Sequence, residues 1–288
     1  ASGFNVRGGS TDQNLILFND APVFNSSHFF GFFSAFNPDL VKEFELYKSG
    51  IPAEYGGRIS SVFDITSKAG NNKELAGAGG ISPITAKLML EGPIVKDKGS
   101  FLVGVRSTYS DYILRQFPVS SLKNSSAAFY DANLVINHRI NPNNDISFSA
   151  YTSSDRFRLN YDTTYNYRNI NGSLTWKHKF TDRFIGELKG IYSHYNYDVR
   201  STDNPVNAYS MQYRINYYEA RSDFRYFLNA RHTMKFGLTS TLYHLHPGDY
   251  QPVGSESLVE SFSLEREQAS EWSAYFSEEY NMGSNLSL

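Results

Sequence analysis

The sequence predicts a membrane all-β protein that forms part of a large antiparallel transmembrane β-barrel. Three observations favour this fold class: long segments of alternating hydrophobicity, connections that are alternately short and long, and aromatic residues near the segment ends. Barrels of bacterial outer membranes have tight turns on the periplasmic side and longer loops outside. A soluble sandwich or a propeller gives no reason for connections sorted in this way.

The alternation is clearest in segment 170–179. Its apolar positions are Ile170, Gly172, Leu174 and Trp176, and its polar positions are Asn171, Ser173, Thr175, Lys177 and Lys179. Successive side chains of a strand point to opposite faces, so the apolar set predicts a lipid-facing side and the charged set predicts a wet lumen. Such segments are roughly 12–16 residues long, well above the usual strand length of about 5–6 residues.

About ten strands are expected in this chain. The first candidates lie near 74–81, 84–92, 98–108, 129–140 and 145–153. Short connections lie at 141–144, 181–182, 229–231 and 283–285, and longer ones near 109–128, 154–165, 199–210 and 247–266. Only the connection Ser82-Pro83 is too short for its expected side. Sheet edges within a membrane must be paired, so we expect further strands outside this sequence, which reads as an internal piece of a larger protein.

Composition narrows the function classes. The chain has 288 residues, a formal net charge of −2 and no cysteine, so disulfides and thiolate metal sites are excluded. No apolar run approaches the roughly 18 residues of a membrane helix. The near-neutral charge gives no support to nucleic-acid binding. There is no Gly-x-Ser-x-Gly, phosphate-loop or zinc motif, so neither an enzyme nor a cofactor is predicted.

Residues 1–72 lack the long alternation and are expected to form a separate small α/β unit, with the barrel strands in residues 73–288. Asn37 and Pro38 predict the start of a helical turn, with Pro38 as its first residue behind an asparagine cap. Val62, Phe63 and Ile65 predict a strand. A unit of this size buries little core of its own, which suits a position inside the barrel lumen.

The first unit resembles the plug domain of TonB-dependent outer-membrane receptors. Four motifs in order carry the resemblance: FNVRGG at 4–9, LILFNDAPV at 15–23, VKEFELYKSG followed by PAEYGGR at 41–58, and VFDITSK at 62–68. EGPIVKDK at 91–98 is similar to an early barrel turn of the branch common in Bacteroidota, whose members often carry an additional regulatory domain. This resemblance places the protein in the cell outer membrane, within a barrel of about 22 strands.

The resemblance also implies a mechanism. A scarce ligand would bind the external loops and the plug, and TonB, acting through a segment that precedes residue 1, would displace the plug. A surface lipoprotein or a larger outer-membrane complex is a further expected partner, besides the lipid bilayer. The alternative is a receptor-like barrel that serves as a structural component of a larger outer-membrane assembly.

Charged side chains of the plug are candidates for latches against the barrel wall. The candidates are Arg7, Lys48 and Arg58, because arginine suits bidentate pairing with a carboxylate. Their expected partners are lumen-facing acids, namely Glu187, Glu219, Asp223, Glu271 and Glu279. The alternative, that each cation is solvated or paired within the plug, stays open at this stage.

A polar and aromatic segment of the plug is a candidate ligand contact at its apex. It contains Asn25, His28, Phe29 and Phe30. Packing of these side chains against the wall is the alternative. Tyr109, Tyr112, Tyr161, Tyr165 and Tyr167 either stack on sugars or belong to a membrane girdle, and the girdle is favoured. His244 and His246 share one face of a strand, but no third ligand accompanies them, so no metal site is predicted.

Overall fold

The computed structural model of the protein describes residues 4–116, 118, 124–158 and 163–282. A small mixed sheet lies in the N-terminal part, which we call the N-terminal unit (residues 4–72). A large antiparallel sheet follows, which we call the wall (residues 76–280). The predicted boundary at residue 72 falls between the last strand of the unit, which ends at Ser67, and the first strand of the wall, which begins at Ala76.

The N-terminal unit is built from six strands. They are β1 (Asn14–Phe18), β2 (Ala21–Pro22), β3 (Ser27–His28), β4 (Phe33–Ser34), β5 (Val41–Tyr47) and β6 (Ser61–Ser67). Four of them form a sheet in the order β2-β1-β6-β5, with β1 parallel to β6 and the other pairs antiparallel. β3 and β4 pair with each other. Turns of 3-10 helix lie at Thr11–Gln13 and Phe29–Gly31.

The helical turn predicted at Asn37 does not continue into a helix. The amide of Leu40 donates to the carbonyl of Asn37 at 3.1 Å, and the Asn37 side chain accepts from the Asp39 amide at 3.2 Å. The chain then enters β5, which alternates polar and apolar residues and pairs with β6. The predicted helical turn is therefore present, and strand pairing decides the conformation that follows it.

Among the described residues, the wall contains ten strands of six to 21 residues and one of two residues. They are β7 (Ala76–Ile81), β8 (Thr85–Val95), β9 (Gly99–Thr108), β10 (Ser126–Asn141), β11 (Asn144–Arg158), β12 (Thr164–Thr181), β13 (Phe184–Ser201), β14 (Tyr209–Phe227), β15 (His232–Pro252), β16 (Phe262–Ser263) and β17 (Glu267–Tyr280). Helix α1 (Ser110–Leu114) and a 3-10 turn at Pro205–Asn207 lie in connections between strands. All neighbouring strands pair antiparallel.

In the described part of the chain, no helix is long and apolar enough to cross a bilayer.

The two faces of the wall differ as the alternation predicts. Leu174 and Leu188 are 52% and 47% exposed on the outer face. Asn169, Asn171 and Ser173, on the opposite face of β12, are buried. The predicted division into a lipid-facing apolar face and a polar inner face is confirmed for these strands.

The N-terminal unit packs against the inner face of the wall through separate apolar contacts, three of which are clusters of buried residues. Phe18 and Phe36 pack with Tyr151 of β11. The other two contacts are formed by Ala21 with Ile191 and Tyr217, and by Leu40 with Leu102 and Val135. These contacts reach from β9 to β14, so the unit lies across much of the inner face of the wall.

The connections define two ends of the wall. Residues 142–143, 182–183 and 228–231 form tight turns at one end, which we call the short-turn end. The connections 202–208 and 253–266 lie at the opposite, long-loop end, together with the short connection 82–84 and the described residues between β9 and β10. Strands β11 to β15 reach further toward the long-loop end than the sequence predicts, because hairpin partners stay paired beyond the apolar band.

Candidate functional site

The N-terminal unit meets the wall through charged and amide side chains, and one such contact begins at a tight turn. Asn19 and Asp20 connect β1 to β2, with φ values of 48° and 68°. Both residues therefore lie in the left-handed region, which this kind of two-residue hairpin turn requires and which favours glycine. Here the second position carries a carboxylate, and the turn directs it at β13 and β14.

The carboxylate of Asp20 meets two cations of the wall. Its Oδ1 lies 2.8 Å from Nζ of Lys189 and 3.8 Å from Nη1 of Arg221. Acidic side chains of the wall surround the two cations: Glu219 Oε1 lies 2.6 Å from Arg221 Nη2, and Glu187 Oε2 lies 3.6 Å from Lys189 Nζ. We call this cluster, which also includes Asp223, the Asp20 junction. Both cations are nearly buried, so the attraction is less screened than at an open surface.

A second charged cluster surrounds His28 near the long-loop end. Its Nδ1 lies 2.7 Å from Oδ2 of Asp155, and its Nε2 lies 3.4 Å from Oδ2 of Asp131. The ring stacks on Phe129 with centroids 4.0 Å apart. Arg106 donates from Nε to Asp131 at 2.7 Å. We call His28, Arg106, Asp131 and Asp155 the His28 junction.

The same cluster holds the backbone of the N-terminal unit. Arg106 donates from Nη2 to the carbonyl of Ser34 at 2.7 Å, and the amide of Phe29 donates to Oδ1 of Asp155 at 3.2 Å. Phe29 has a φ of 48°, a left-handed conformation that is uncommon for a large side chain. The wall thus fixes the segment around His28 through its backbone as well as its ring.

The environment of His28 shifts its protonation. Burial by itself lowers the pKa of the imidazole, because it penalises the charged form. Hydrogen bonds and charges from Asp131 and Asp155 oppose burial and raise the pKa above its ordinary value. The carboxylates therefore favour the imidazolium in this junction.

Side-chain amides and hydroxyls of the wall complete the interface. Asn169 donates from Nδ2 to the carbonyl of Asn25 at 3.2 Å, and Asn171 donates to the carbonyl of Pro22. The hydroxyl of Tyr151 donates to the carbonyl of Ala35 at 3.0 Å. An exposed ion pair joins Asp39 to Lys87 at 2.6 Å. The wall consequently satisfies backbone carbonyls that the irregular segment 22–35 leaves without strand partners.

None of the three predicted latch residues is a member of these junctions. Arg7 and Lys48 are exposed and line a groove within the N-terminal unit. Arg58 donates to the carbonyl of Gly57 at 2.7 Å and lines a cavity of about 480 Å³ shared with wall residues, among them Glu219 and Glu271. In the described residues, none of the three forms an ion pair with the wall. Their role as latches stays a prediction.

We expected cations on the N-terminal unit and acids on the wall. The His28 junction has this polarity but involves a residue that was not predicted as a latch. Asp20 and Asp39 are instead acids that meet wall lysines. Three of the expected acids, Glu187, Glu219 and Asp223, lie in the Asp20 junction. Glu279 pairs with Lys235 of the neighbouring strand instead. In the sequence, only the position of Asp20 in a turn motif, where glycine is favoured, could have indicated its role.

The predicted apex segment is held by the wall in this structure. Asn25 is buried, His28 is 1% exposed, and Phe29 packs edge-to-face on Phe129. The side chain of Phe30 lies outside the described part of the chain. This geometry agrees with the packing alternative, and ligand contact by these residues stays a prediction. Phe32, which belongs to the same aromatic run, is 85% exposed beside them.

Two further sequence interpretations concern tyrosines and histidines. Tyr167 lies on the inner face of β12 and stacks on Tyr197 at 5.7 Å, so the girdle interpretation is wrong for Tyr167. Tyr161 lies outside the described residues. His244 lies on the opposite face of the wall beside Tyr218, at 5.7 Å between ring centroids. Across the described ranges, no group of three His, Asp or Glu side chains is arranged to hold a metal ion.

A comparison with protein families identifies the N-terminal unit. Residues 1–62 match the family model of the TonB-dependent receptor plug domain. This unit is a TonB-dependent receptor plug. We call it the plug from here on, and the wall around it the barrel wall. A search of functionally characterised proteins found no match.

Solved structures show the same fold for the whole chain. The ferric enterobactin receptor PfeA from Pseudomonas aeruginosa matches with 15% identity and a TM-score of 0.71, over 97% of this chain and 49% of its own. The copper transporter OprC matches with 9% identity and a TM-score of 0.72, over 99% and 48%. The ferric citrate transporter FecA matches with 13% identity and a TM-score of 0.65, over 98% and 47%.

The chain therefore spans about half the length of these structures. Residues 1–62 match the plug family, as their motifs predicted, and the wall has the fold of part of the barrel in these structures. The fold is that of receptors of the bacterial outer membrane, which agrees with the predicted location.

Proposed function

We propose that this chain belongs to a transporter that takes up a scarce ligand across the outer membrane and depends on TonB. In this proposal the ligand binds the external loops and the plug, and TonB, acting through a segment before residue 1, displaces the plug. The plug family and the similar receptor and transporter structures support this mechanism. They favour transport rather than catalysis.

The observation that carries the proposal is the polar character of the interface between plug and wall, which we call the seat. The Asp20 junction, the His28 junction and the side-chain amides of β12 supply most of its specific contacts, whereas the apolar contacts are small and separate. Polar groups that lose a partner within a wet lumen are hydrated again, so each neutral hydrogen bond contributes about 1 kcal/mol net and each charged one about 1.5–3 kcal/mol. A pulling force can therefore release the plug without disturbing the strand ladders of the wall.

We propose that the ligand binds the plug surface at the long-loop end of the wall. Phe32 is exposed there, next to Phe29 and the His28 junction. An aromatic side chain held in the open suits contact with an incoming ligand. We keep Asn25, His28, Phe29 and Phe30 as proposed ligand contacts for a plug that has moved, because at least the first three contact the wall in this structure.

The proposal also includes the latch residues, domain bounds and partners that the sequence predicts. Arg58 is a proposed latch across its cavity, and Arg7 and Lys48 are proposed latches in the complete protein. Residues 1–72 are the proposed plug portion and residues 73–288 the proposed barrel portion. Membership of the Bacteroidota branch, with a surface lipoprotein or a larger complex as partner, also remains a proposal.

A reversible tether tests whether the plug must move. Ala21 of the plug packs on Ile191 of β13, and the chain contains no cysteine, so the double variant Ala21→Cys/Ile191→Cys introduces one defined disulfide. In cells that make the full-length protein, accumulation of ferric citrate, ferric enterobactin and copper is compared with and without TonB. We expect oxidation of the tether to abolish TonB-dependent accumulation and a reductant to restore it.

Each single-cysteine variant controls for the substitutions themselves. Thiol labelling at Ala35→Cys, which is buried between plug and wall, adds a readout that needs no known ligand. Absence of TonB-dependent accumulation, together with TonB-independent labelling at this position, would contradict transport. A structural component of an outer-membrane assembly would instead keep its partners when the tether is closed.

A further inference from the structure

Both ring nitrogens of His28 face carboxylate oxygens. Nδ1 lies 2.7 Å from Asp155 and Nε2 lies 3.4 Å from Asp131. A neutral imidazole carries one N–H, so one of its nitrogens would present a lone pair to a carboxylate. Nε2 makes no hydrogen bond but is buried 3.4 Å from the carboxylate of Asp131, so a positive charge on the ring, rather than a second hydrogen bond, makes this contact favourable. The geometry itself therefore favours the charged ring.

The sum of the charges in the junction also favours the imidazolium form of His28. Asp131 and Asp155 carry two negative charges, and Arg106 supplies one positive charge to Asp131. All four side chains are at most 9% exposed. With an imidazolium the junction is neutral, whereas with a neutral ring one buried carboxylate lacks a counter-charge, which is strongly unfavourable.

The other titratable groups around the junction do not supply that counter-charge. Tyr151 of β11, Tyr167 of β12 and Tyr195 of β13 interact with the same acids, but they are phenols and carry no positive charge. Phe29, Phe33 and Phe129 close the remaining sides with aromatic rings. In the described part of the chain, Arg106 is thus the only permanent cation that the junction contains.

We infer that the seated plug holds His28 as an imidazolium, and that loss of this proton releases segment 25–36 from strands β9 to β11. The seat of the plug is therefore sensitive to pH at its outer end. This inference rests on the proposed function, because only a plug that leaves its seat makes the strength of the seat matter.

The direction of the effect follows from linkage. The junction raises the pKa of His28 above its ordinary value of about 6.5. A group whose pKa is raised on seating stabilises the seat fully below its ordinary pKa and ceases to do so as the pH rises through the seated pKa. Low pH therefore strengthens the contact between segment 25–36 and the barrel wall, and high pH weakens it.

Hydrogen exchange of segment 25–36 tests the inference in the full-length protein in lipid nanodiscs. The opening of the segment is followed from about pH 5.5 to about pH 9 after correction for intrinsic exchange, the range in which histidine titrates. We expect opening to increase at least about tenfold toward alkaline pH. His28→Gln removes the titrating group and should abolish this dependence, while the matched control His232→Gln, in the exposed pair with Glu278, should keep it.

A second variant keeps the test decisive if His28→Gln fails to seat the plug. Asp155→Asn retains an oxygen that can accept from Phe29 but removes one of the two charges that hold the imidazolium. It should move the midpoint of opening to lower pH, which loss of packing alone would not do. A wild-type segment that opens independently of pH, or a midpoint unmoved by Asp155→Asn, would overturn the inference. This readout uses neither ligand nor TonB, so it can fail or succeed separately from the uptake assay.

Discussion

At the scale of single residues, Asp20 shows how a local cost is offset by a long-range contact. A left-handed backbone suits glycine, and a residue with a side chain is disfavoured there by about 1 kcal/mol, although aspartate tolerates it better than most. Asp20 nevertheless occupies this conformation at a φ of 68°. Its carboxylate reaches Lys189 at 2.8 Å, a contact between residues 169 positions apart in the chain.

The substitution Asp20→Gly separates the two effects. It relieves the backbone but removes the charged contact, which typically contributes about 1.5–3 kcal/mol. We therefore expect a weaker seat at β1 and β2, measured as faster hydrogen exchange of segment 17–24. Asp97→Gly is the matched control, because Asp97 has a φ of 62° and lies exposed in the turn between β8 and β9. Equal effects of the two substitutions on this segment would show that the carboxylate of Asp20 contributes nothing.

The charged residues of the site could be predicted as a set but not as pairs. Alternation placed Glu187, Lys189, Glu219, Arg221 and Asp223 on the inner face, and the structure confirms that face. Which of them meets the plug depends on how the plug is rotated and shifted against the wall. No local pattern encodes that docking, so the Asp20 junction and the His28 junction became visible only in the structure.

At the scale of elements, the period of two along the strands was the most reliable signal. It predicted the faces of β12 and β13 and about ten strands. The strand ends were less predictable, since β15 continues to Pro252 through residues that the sequence assigned to a loop. Backbone pairing between hairpin neighbours extends a strand without any apolar pattern. For the same reason the helical turn predicted at Asn37 is followed directly by β5.

Strand β9 makes a close contact with the plug that a glycine permits. A Cβ added at Gly104 would overlap the side chain of Leu40, which is buried among Leu102 and Val135. Gly104→Ala should therefore weaken docking of the plug, by about 1–3 kcal/mol if the contact cannot relax. The readout is limited proteolysis of the plug in the folded full-length protein.

Gly190→Ala on β13 provides the matched control for this strand contact. It makes the same change in a wall strand, but a Cβ at Gly190 meets no atom within 4 Å. Proteolysis of the plug should be unchanged in this variant. Faster proteolysis in both variants would mean that alanine affects the wall itself rather than the contact with Leu40.

At the scale of the whole molecule, the plug and the barrel wall share one interface but differ in how much of their structure they stabilise by themselves. The wall strands are long, up to 21 residues, and each is paired with its neighbours over most of its length. The plug has a small core around Phe18, Phe36 and Ile65, and part of that core is completed by Tyr151 of the wall. The plug therefore depends on the wall for its packing, whereas the ladders of the wall do not depend on the plug.

This asymmetry predicts the order in which the molecule loses structure. In a membrane the backbone groups of the wall strands have no water to replace their partners, so the ladders open last. The plug lies in a wet lumen and its contacts are polar, so it belongs to the less stable part of the molecule. In increasing urea, hydrogen exchange of peptides from residues 14–67 should rise at lower concentrations than that of peptides from residues 126–252. Asp20→Gly should lower the first midpoint and leave the second unchanged. Coincident loss of protection in both regions would show instead that plug and wall form one cooperative unit, which would be incompatible with a plug that is withdrawn while the barrel stays folded.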